Sequence, residues 1–367
     1  LFLVPKILPH KDGTLDKENN VKCGSIEKKM GIKASPTCVM HYEESKGWLV
    51  GDLNKGMKAM FIMMNGARLF VGIQGIGLSE TAFQSSLHYA KERVQGKLPE
   101  SENIADPIIV HPEIRKNLMF MKSMNDGIRG LMLKAGHAFD LIDSDQSKEL
   151  TESAENLIAL LTPILKSFAT DKSMEITNQA LQVYGGHGYI TDHGMEQLVR
   201  DARITPIYEG TNGIQALDLI GRKFSINNGL IINQYLNEIS QFLEDNKDNK
   251  KLSKFIKLFD PSYSDLKESI KFIKEIPSNN TQEINSHAVD LLNLFALVAV
   301  GFTWLEFINV SIAKTEDDED DFYLSKIQLG EFYLTKLIFE TQKFKNNIFS
   351  SGKLYNEFQD KFFEVGI

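Results

Sequence analysis

The chain has 367 residues, of which 42% are apolar and 25% charged, the balance of a globular protein long enough for more than one core. That excludes wholesale disorder, collagen-like repeats and a small disulfide-stapled scaffold. The formal charge of −8 is uneven: Lys and Arg against Asp and Glu number 26 to 27 in residues 1–223 and 15 to 22 in residues 224–367, giving −1 and −7. Neither part has the basic excess of a nucleic-acid surface, so no nucleic-acid partner is expected and any anionic ligand must be held by local arginines and lysines. Cys23 and Cys38 lie fifteen positions apart without a CxxC spacing. They read as free thiols in a reducing compartment, with a single disulfide left open, and no metal site is expected.

In chain order, the sequence opens at Leu1 on a strand-like run, Leu1 to Pro5, without the basic and apolar regions of a signal peptide. It reads as the later part of a longer protein. Residues 1–50 read as short extended segments, with turn signals at Asp12-Gly13, Cys23-Gly24 and Ser35-Pro36 and strands at 36–42 and 47–50. From Leu53 a helical period takes over, and the glycines of Gly72-Ile-Gln-Gly75-Ile-Gly77 read as small residues for close helix packing, not as a nucleotide loop. A second helix starts at Pro112, with Ile114, Leu118, Met121, Ile128, Leu131 and Met132 on its buried face. A third runs from Lys148 to Tyr184 and stops at Gly185-Gly186. A fourth covers 214–223, and the set reads as an antiparallel bundle. Residues 244–255, rich in Asp, Asn and Lys, read as an exposed linker or a solvated face, with helices returning at 285–313 and 324–347 on either side of the acidic run Glu316 to Asp321. No run reaches the roughly 18–20 apolar residues of a membrane span, and Val289 to Ala313 reads as a buried helix because Asp290, Asn293, Glu306 and Asn309 interrupt it.

The expected architecture is mostly α, in three parts. Residues 1–50 form the end of a β-domain, residues 51–223 a four-helix domain, and residues 230–367 a second helical domain at the C-terminus.

The residues that carry chemistry lie between 182 and 215. Gln182-Val-Tyr-Gly-Gly-His-Gly-Tyr189 is followed by Arg200-Asp-Ala-Arg203 and then by Pro206-Ile-Tyr-Glu-Gly-Thr-Asn-Gly-Ile-Gln215. In this order and spacing the sequence resembles the acyl-CoA dehydrogenases, a flavoprotein family. Gly24 to Cys38, Asp106 to Pro112 and Glu209 to Lys223 are similar to its long subgroup, which carries an extra C-terminal helical domain. Enzymes of that subgroup act on 3-methylmercaptopropionyl-CoA, in bacterial dimethylsulfoniopropionate breakdown, and on other acyl groups.

The resemblance implies FAD as cofactor and α,β-dehydrogenation of an acyl-CoA thioester to the 2-enoyl-CoA. It also implies an electron-transfer flavoprotein as acceptor, at least a homodimer, and a bacterial cytoplasmic location. It makes Glu209 the base that takes the α-proton, a role suited to a carboxylate that substrate binding dries. Tyr208 and Gly210 flank it at the substrate. Gln182, Gly185, Gly186, Thr211 and, where many relatives have glutamine, Gly213 fall at flavin contacts; Arg93 falls near a pyrophosphate-binding arginine. Asn65 and Arg68 fall on the helix that faces the acyl-CoA. Arg200, Asp201 and Arg203 are expected to brace the loop of Glu209, and His187 and His193 to be loop residues. Alternative readings are an acyl-CoA oxidase and a non-catalytic flavoprotein relative with a binding role.

Overall fold

The computed structural model of the chain describes residues 1–144, 146–224, 229–317, 321–350 and 352–366. It is mostly helical, with its strands confined to the first fifty residues. These strands are β1 (Phe2–Leu3), β2 (Ile7–Pro9), β3 (Leu15–Glu18), β4 (Val21–Ile26), β5 (Cys38–Tyr42) and β6 (Trp48–Leu49), paired antiparallel as β1–β6, β2–β3 and β4–β5. With few apolar side chains inside, the segment is organised by one buried amide. Asn19 donates to the carbonyls of Pro5 at 2.8 Å and Lys46 at 2.7 Å, and accepts from the Lys46 N–H at 2.8 Å. The turn expected at Cys23-Gly24 is instead a bulge inside β4, where the register slips between Cys23 and Ser25. Gly24 is needed there because a Cβ would sit 2.1 Å from the His41 ring. Cys23 and Cys38 are free thiols facing one another diagonally across this hairpin.

Three long helices follow: α1 (Gly56–Glu92), α2 (Pro112–Asp143) and α3 (Lys148–Tyr184). Consecutive helices run antiparallel, so α1 and α3 lie parallel to each other. Their seam is tight because Gly72 and Gly75 present no side chain: a Cβ on Gly75 would stand 3.0 Å from the Ala169 carbonyl. Proline starts α2 and the left-handed Gly185 (φ 59°) ends α3. The fourth position of the bundle is filled by shorter pieces, α4 (Met195–Ala202) and α5 (Asn212–Leu217), the latter prolonged by a π-helical segment, Asp218–Lys223.

The remaining chain forms α6 (Leu230–Asp245), α7 (Ser253–Glu275), α8 (Thr281–Ser286), α9 (Ala288–Lys314), α10 (Phe322–Phe332) and α11 (Glu340–Phe349). The stretch 244–255 is no linker. It closes a short turn between α6 and α7, with Leu252 and Phe255 buried inside. The helix expected over 324–347 is broken by a π-helical turn, Tyr333–Leu337, which buries Tyr333 and Leu334. Residues 318–320 of the acidic run lie outside the described residues. The central helix is α9, apolar all round. It is fastened to α2 by Trp304, whose Nε1 donates to the Ser123 carbonyl at 3.2 Å. Gly127 of α2 makes room, since a Cβ there would lie 2.7 Å from the same indole nitrogen.

Among the described residues two helices, α1 and α9, are by length and composition apolar enough to cross a membrane. The most apolar stretch of α9 is 83% buried, as its interruptions led us to expect, whereas that of α1, which the sequence reading did not weigh, is only 33% buried.

Candidate active site

The loop between α4 and α5 carries Glu209 in an unusual backbone state. Glu209 (φ 56°) and Gly210 (φ 86°) are successive left-handed residues. Glycine adopts this freely, but for glutamate it costs on the order of 1 kcal/mol and persists only if the surroundings hold it. The restraints are all present. Lys166 of α3 donates to the Gly210 carbonyl at 2.8 Å and to Asn212 Oδ1 at 3.0 Å. The Asn212 amide donates to the Ser167 carbonyl at 3.1 Å and to Asp171 at 2.7 Å. Gln215 reaches the Gly210 carbonyl at 3.3 Å, and Thr211 caps α5 by accepting from the Ile214 N–H at 3.3 Å.

Around the carboxylate the surface is cationic and partly dry. Arg68 is 5% exposed, pairs with the buried Asp218 at 3.7 Å, and has its guanidinium beside Gly210. Its Nε and the Oε1 of Gln215 are buried without a hydrogen-bond partner among the described residues, an arrangement that a polar ligand would complete. Burial brings the Lys166 ammonium down to about 8. Burial also raises Asp171, and it raises Tyr208, whose hydroxyl bonds Gln74 on α1.

A second group of residues gathers at the far ends of α1 and α3. Arg93, Gln95, Tyr89, Tyr184, Gly185, Gly186 and His187 line a cavity of about 260 Å³. Tyr89 and Tyr184 stack at 4.1 Å, Tyr89 bonds His187 Nδ1 at 2.9 Å, and His187 stacks on His193 at 5.0 Å. Gly185 and Gly186 are exposed and nothing stands where their Cβ atoms would be, so their backbone is open to a ligand.

The structure therefore splits the expected site residues into two sets. Tyr208, Glu209, Gly210 and Arg68 come together at one end. Arg93, Gly185 and Gly186 come together at the other, about 35 Å away at 1.5 Å per residue along α1. Gln182 is exposed beside the second set, and its carbonyl accepts the Gly185 N–H. Gly213 is exposed on α5, 3.9 Å from Thr211 Oγ1 measured from a Cβ placed there. Asn65 lines a cleft of about 220 Å³ with Pro163, Asp218 and Lys223, which adjoins the Glu209 set through the Arg68–Asp218 pair.

Arg200 and Asp201 do not brace the Glu209 loop. Arg200 pairs with Glu196 and donates to the Met30 carbonyl at 2.7 Å, while Asp201 accepts the Ile32 N–H at 2.6 Å. They fasten the β-segment to α4 instead. The residues that do hold the loop, Lys166, Asn212 and Gln215, were not singled out from the sequence. The one available signal was a lysine inside the otherwise uncharged run Ile158 to Ala169. Among the described residues no group of His, Cys, Asp and Glu is placed to hold a metal.

Comparison with known proteins bears directly on this arrangement. Residues 54–224 match the family model "Acyl-CoA dehydrogenase, C-terminal domain", and residues 235–357 match "Acetyl-CoA dehydrogenase C-terminal like". Over residues 54–224 the chain belongs to the acyl-CoA dehydrogenase family. Within it, the chain is 42% identical over 224 residues to the 3-methylmercaptopropionyl-CoA dehydrogenase of Ruegeria pomeroyi, covering 61% of this chain and 38% of that protein. It is 28% identical over 353 residues to a butyryl-CoA dehydrogenase of Syntrophomonas wolfei, covering 92% of this chain and 57% of that one. The acyl-CoA dehydrogenase of Bacillus anthracis complexed with FAD superposes with a TM-score of 0.74 at 19% identity, covering 98% of this chain and 62% of that one. At that identity the likeness is one of fold. The chain thus spans about two-fifths to three-fifths of the length of these acyl-CoA dehydrogenases.

Proposed function

We propose that the protein to which this chain belongs is an FAD-dependent acyl-CoA dehydrogenase that converts an acyl-CoA thioester to the 2-enoyl-CoA. The observation that carries this is Glu209 itself: a carboxylate in a left-handed turn held by hydrogen bonds from Lys166, Asn212 and Gln215, beside a buried guanidinium with a nitrogen unpartnered among the described residues. Glu209 acts as the base that removes the α-proton, and the backbone N–H of the same residue is the donor best placed in sequence to polarise the thioester carbonyl. Arg68 and Lys166 give the turn two cationic neighbours. Tyr208 and Gly210 border the reacting carbons, and a closely fitting thioester excludes water from them.

FAD, when bound, supplies the hydride acceptor. The cavity at Arg93 suits its anionic and aromatic parts, with a guanidinium, open glycine backbone and the stacked pair Tyr89 and Tyr184. Gln182, Gly185, Gly186 and Arg93 would hold the cofactor there, and Thr211 and Gly213 would meet it near Glu209. The separation of the two sets suits cofactor sites shared between protomers of a dimer or larger assembly. Asn65 and Arg68 line the acyl-CoA side. The relatedness to the Ruegeria pomeroyi enzyme favours 3-methylmercaptopropionyl-CoA as substrate, with electron-transfer flavoprotein as acceptor in the bacterial cytoplasm.

An anaerobic spectrum of the intact protein tests this. Addition of 3-methylmercaptopropionyl-CoA or butanoyl-CoA is expected to bleach the oxidised flavin, and Glu209→Gln to abolish the bleaching. A protein purified without flavin, or a Glu209→Gln variant that bleaches at the wild-type rate, would overturn the reading. Oxygen uptake comparable to the dehydrogenation rate would show an oxidase.

A further inference from the structure

Lys166 is fully buried in the middle of α3, where a lysine is otherwise an expensive choice. Among the described residues it is not spent on an ion pair. Its ammonium donates to the Gly210 carbonyl at 2.8 Å and to Asn212 Oδ1 at 3.0 Å, across a separation of more than forty residues. Thr170, one turn along α3, bonds the same Asn212 at 3.0 Å. The charged groups facing Lys166 are Arg68 on α1, Asp171 on its own helix and Glu209 on the turn, while Asp218 beyond α5 pairs with Arg68.

From this geometry we propose that Lys166 is a positioning residue of the active site, whose ammonium holds the left-handed Glu209-Gly210 turn in the conformation that delivers the carboxylate to the substrate. The proposal rests on Glu209 being the base. A hydrogen bond from an ammonium is roughly twice as strong as one from a neutral amine, so the turn is held firmly only while Lys166 is protonated. Burial lowers its ionisation to about 8, inside an accessible range. The grip should therefore loosen as pH rises through that value.

The step to measure is proton abstraction alone. Acetyl-CoA has α-hydrogens but no β-carbon, so it can give a proton and no hydride. The α C–H bond breaks, the proton passes to the Glu209 carboxylate, the electron pair remains on the thioester as an enolate, and a deuteron from D₂O returns to the carbon. Deuterium incorporation into acetyl-CoA, read by mass spectrometry with the intact flavin-loaded protein, is expected to fall at least threefold between pH 7 and 9.5. Lys166→Gln, which keeps a neutral donor, is expected to incorporate at least tenfold more slowly at pH 7 with its flavin retained, and to lose the alkaline fall. A wild-type rate flat from pH 7 to 9.5 would overturn the proposal even if the variant fails to fold. So would a Lys166→Gln protein with wild-type rate and profile. Glu209→Gln separates the two readings: exchange surviving in that variant removes the base assignment, whereas exchange lost there but unchanged in Lys166→Gln removes only the role of Lys166.

Discussion

Helices α1 and α9 are both long and apolar enough to cross a membrane, yet the fold treats them in opposite ways. The most apolar window of α9 is 83% buried, between α2, α7, α10 and α11, and its apolar side chains serve to hold helices together. That of α1 is 33% buried, with Met57, Phe61, Ile62, Met63, Phe70 and Ile73 exposed on it. The buried face of α1 runs from Arg68, which faces the Glu209 turn, through Leu69 and the Gly72–Gly75 seam to Ala82, Phe83 and Ala90. Hydropathy alone does not distinguish the two cases. What separates them is whether the apolar surface has partners among the described residues.

The contrast can be broken at several points. The largest effect is expected outside both helices, from Glu209→Gln, with turnover in the intact protein falling by about 10²–10⁴-fold; a loss of less than tenfold in stopped-flow flavin reduction would contradict it. Next is the core of α9. Phe295→Ala, at a fully buried site, is expected to cost about 3–5 kcal/mol in urea or thermal unfolding. The matching change on α1, Ile62→Ser at a 76% exposed position, is expected to stay within about 0.5 kcal/mol. If Ile62→Ser destabilised the chain as much as Phe295→Ala, the exposed face of α1 would be an integral part of this core.

A smaller effect concerns pH. Folding lowers the ionisation of Lys166 to about 8 from 10.5, so between those values the unfolded chain binds more protons and the contribution of this residue to stability rises with pH. The stability gap between Lys166→Met and wild type should therefore move in favour of wild type as pH rises from 8 to 10.5, opposite in direction to the fall in exchange. The smallest concerns Asp106, held at about 2 chiefly by the Ser101 hydroxyl, with the Leu98 N–H and the Asn103 amide also bonded to it. Its contribution is present above the ordinary carboxylate range and is lost as pH falls through about 2. Asp106→Asn should leave a less protected 97–106 loop in hydrogen exchange at neutral pH and a weaker acid dependence.

These elements also show what was legible in the sequence. The ends of α3, at Lys148 and Tyr184, and the start of α2 at Pro112 were readable because local chemistry decides them: proline, positive-φ glycine and apolar periodicity. Helix α7 and the turn before it were missed, because Asp, Asn and Lys dominate the composition and hide the two side chains that matter, Leu252 and Phe255. Cys23-Gly24 was misread as a turn, since its glycine answers to His41 on the partner strand. For the candidate site, the motif pointed to Glu209 and its neighbours, but the supports depend on contacts more than forty residues apart, which no local pattern encodes. Arg200 and Asp201 were assigned to the wrong load for the same reason: adjacency to the loop in sequence does not make them its neighbours in space.

The left-handed backbone of Glu209 has one more consequence. The residue that the proposed chemistry requires is not the residue that the backbone prefers. Glu209→Gly should relax the turn and raise the unfolding free energy by about 1 kcal/mol, even as it removes the carboxylate. Any selection for thermal endurance alone would then drift toward an inert protein at this position, so that the glutamate persists only where catalysis is under test.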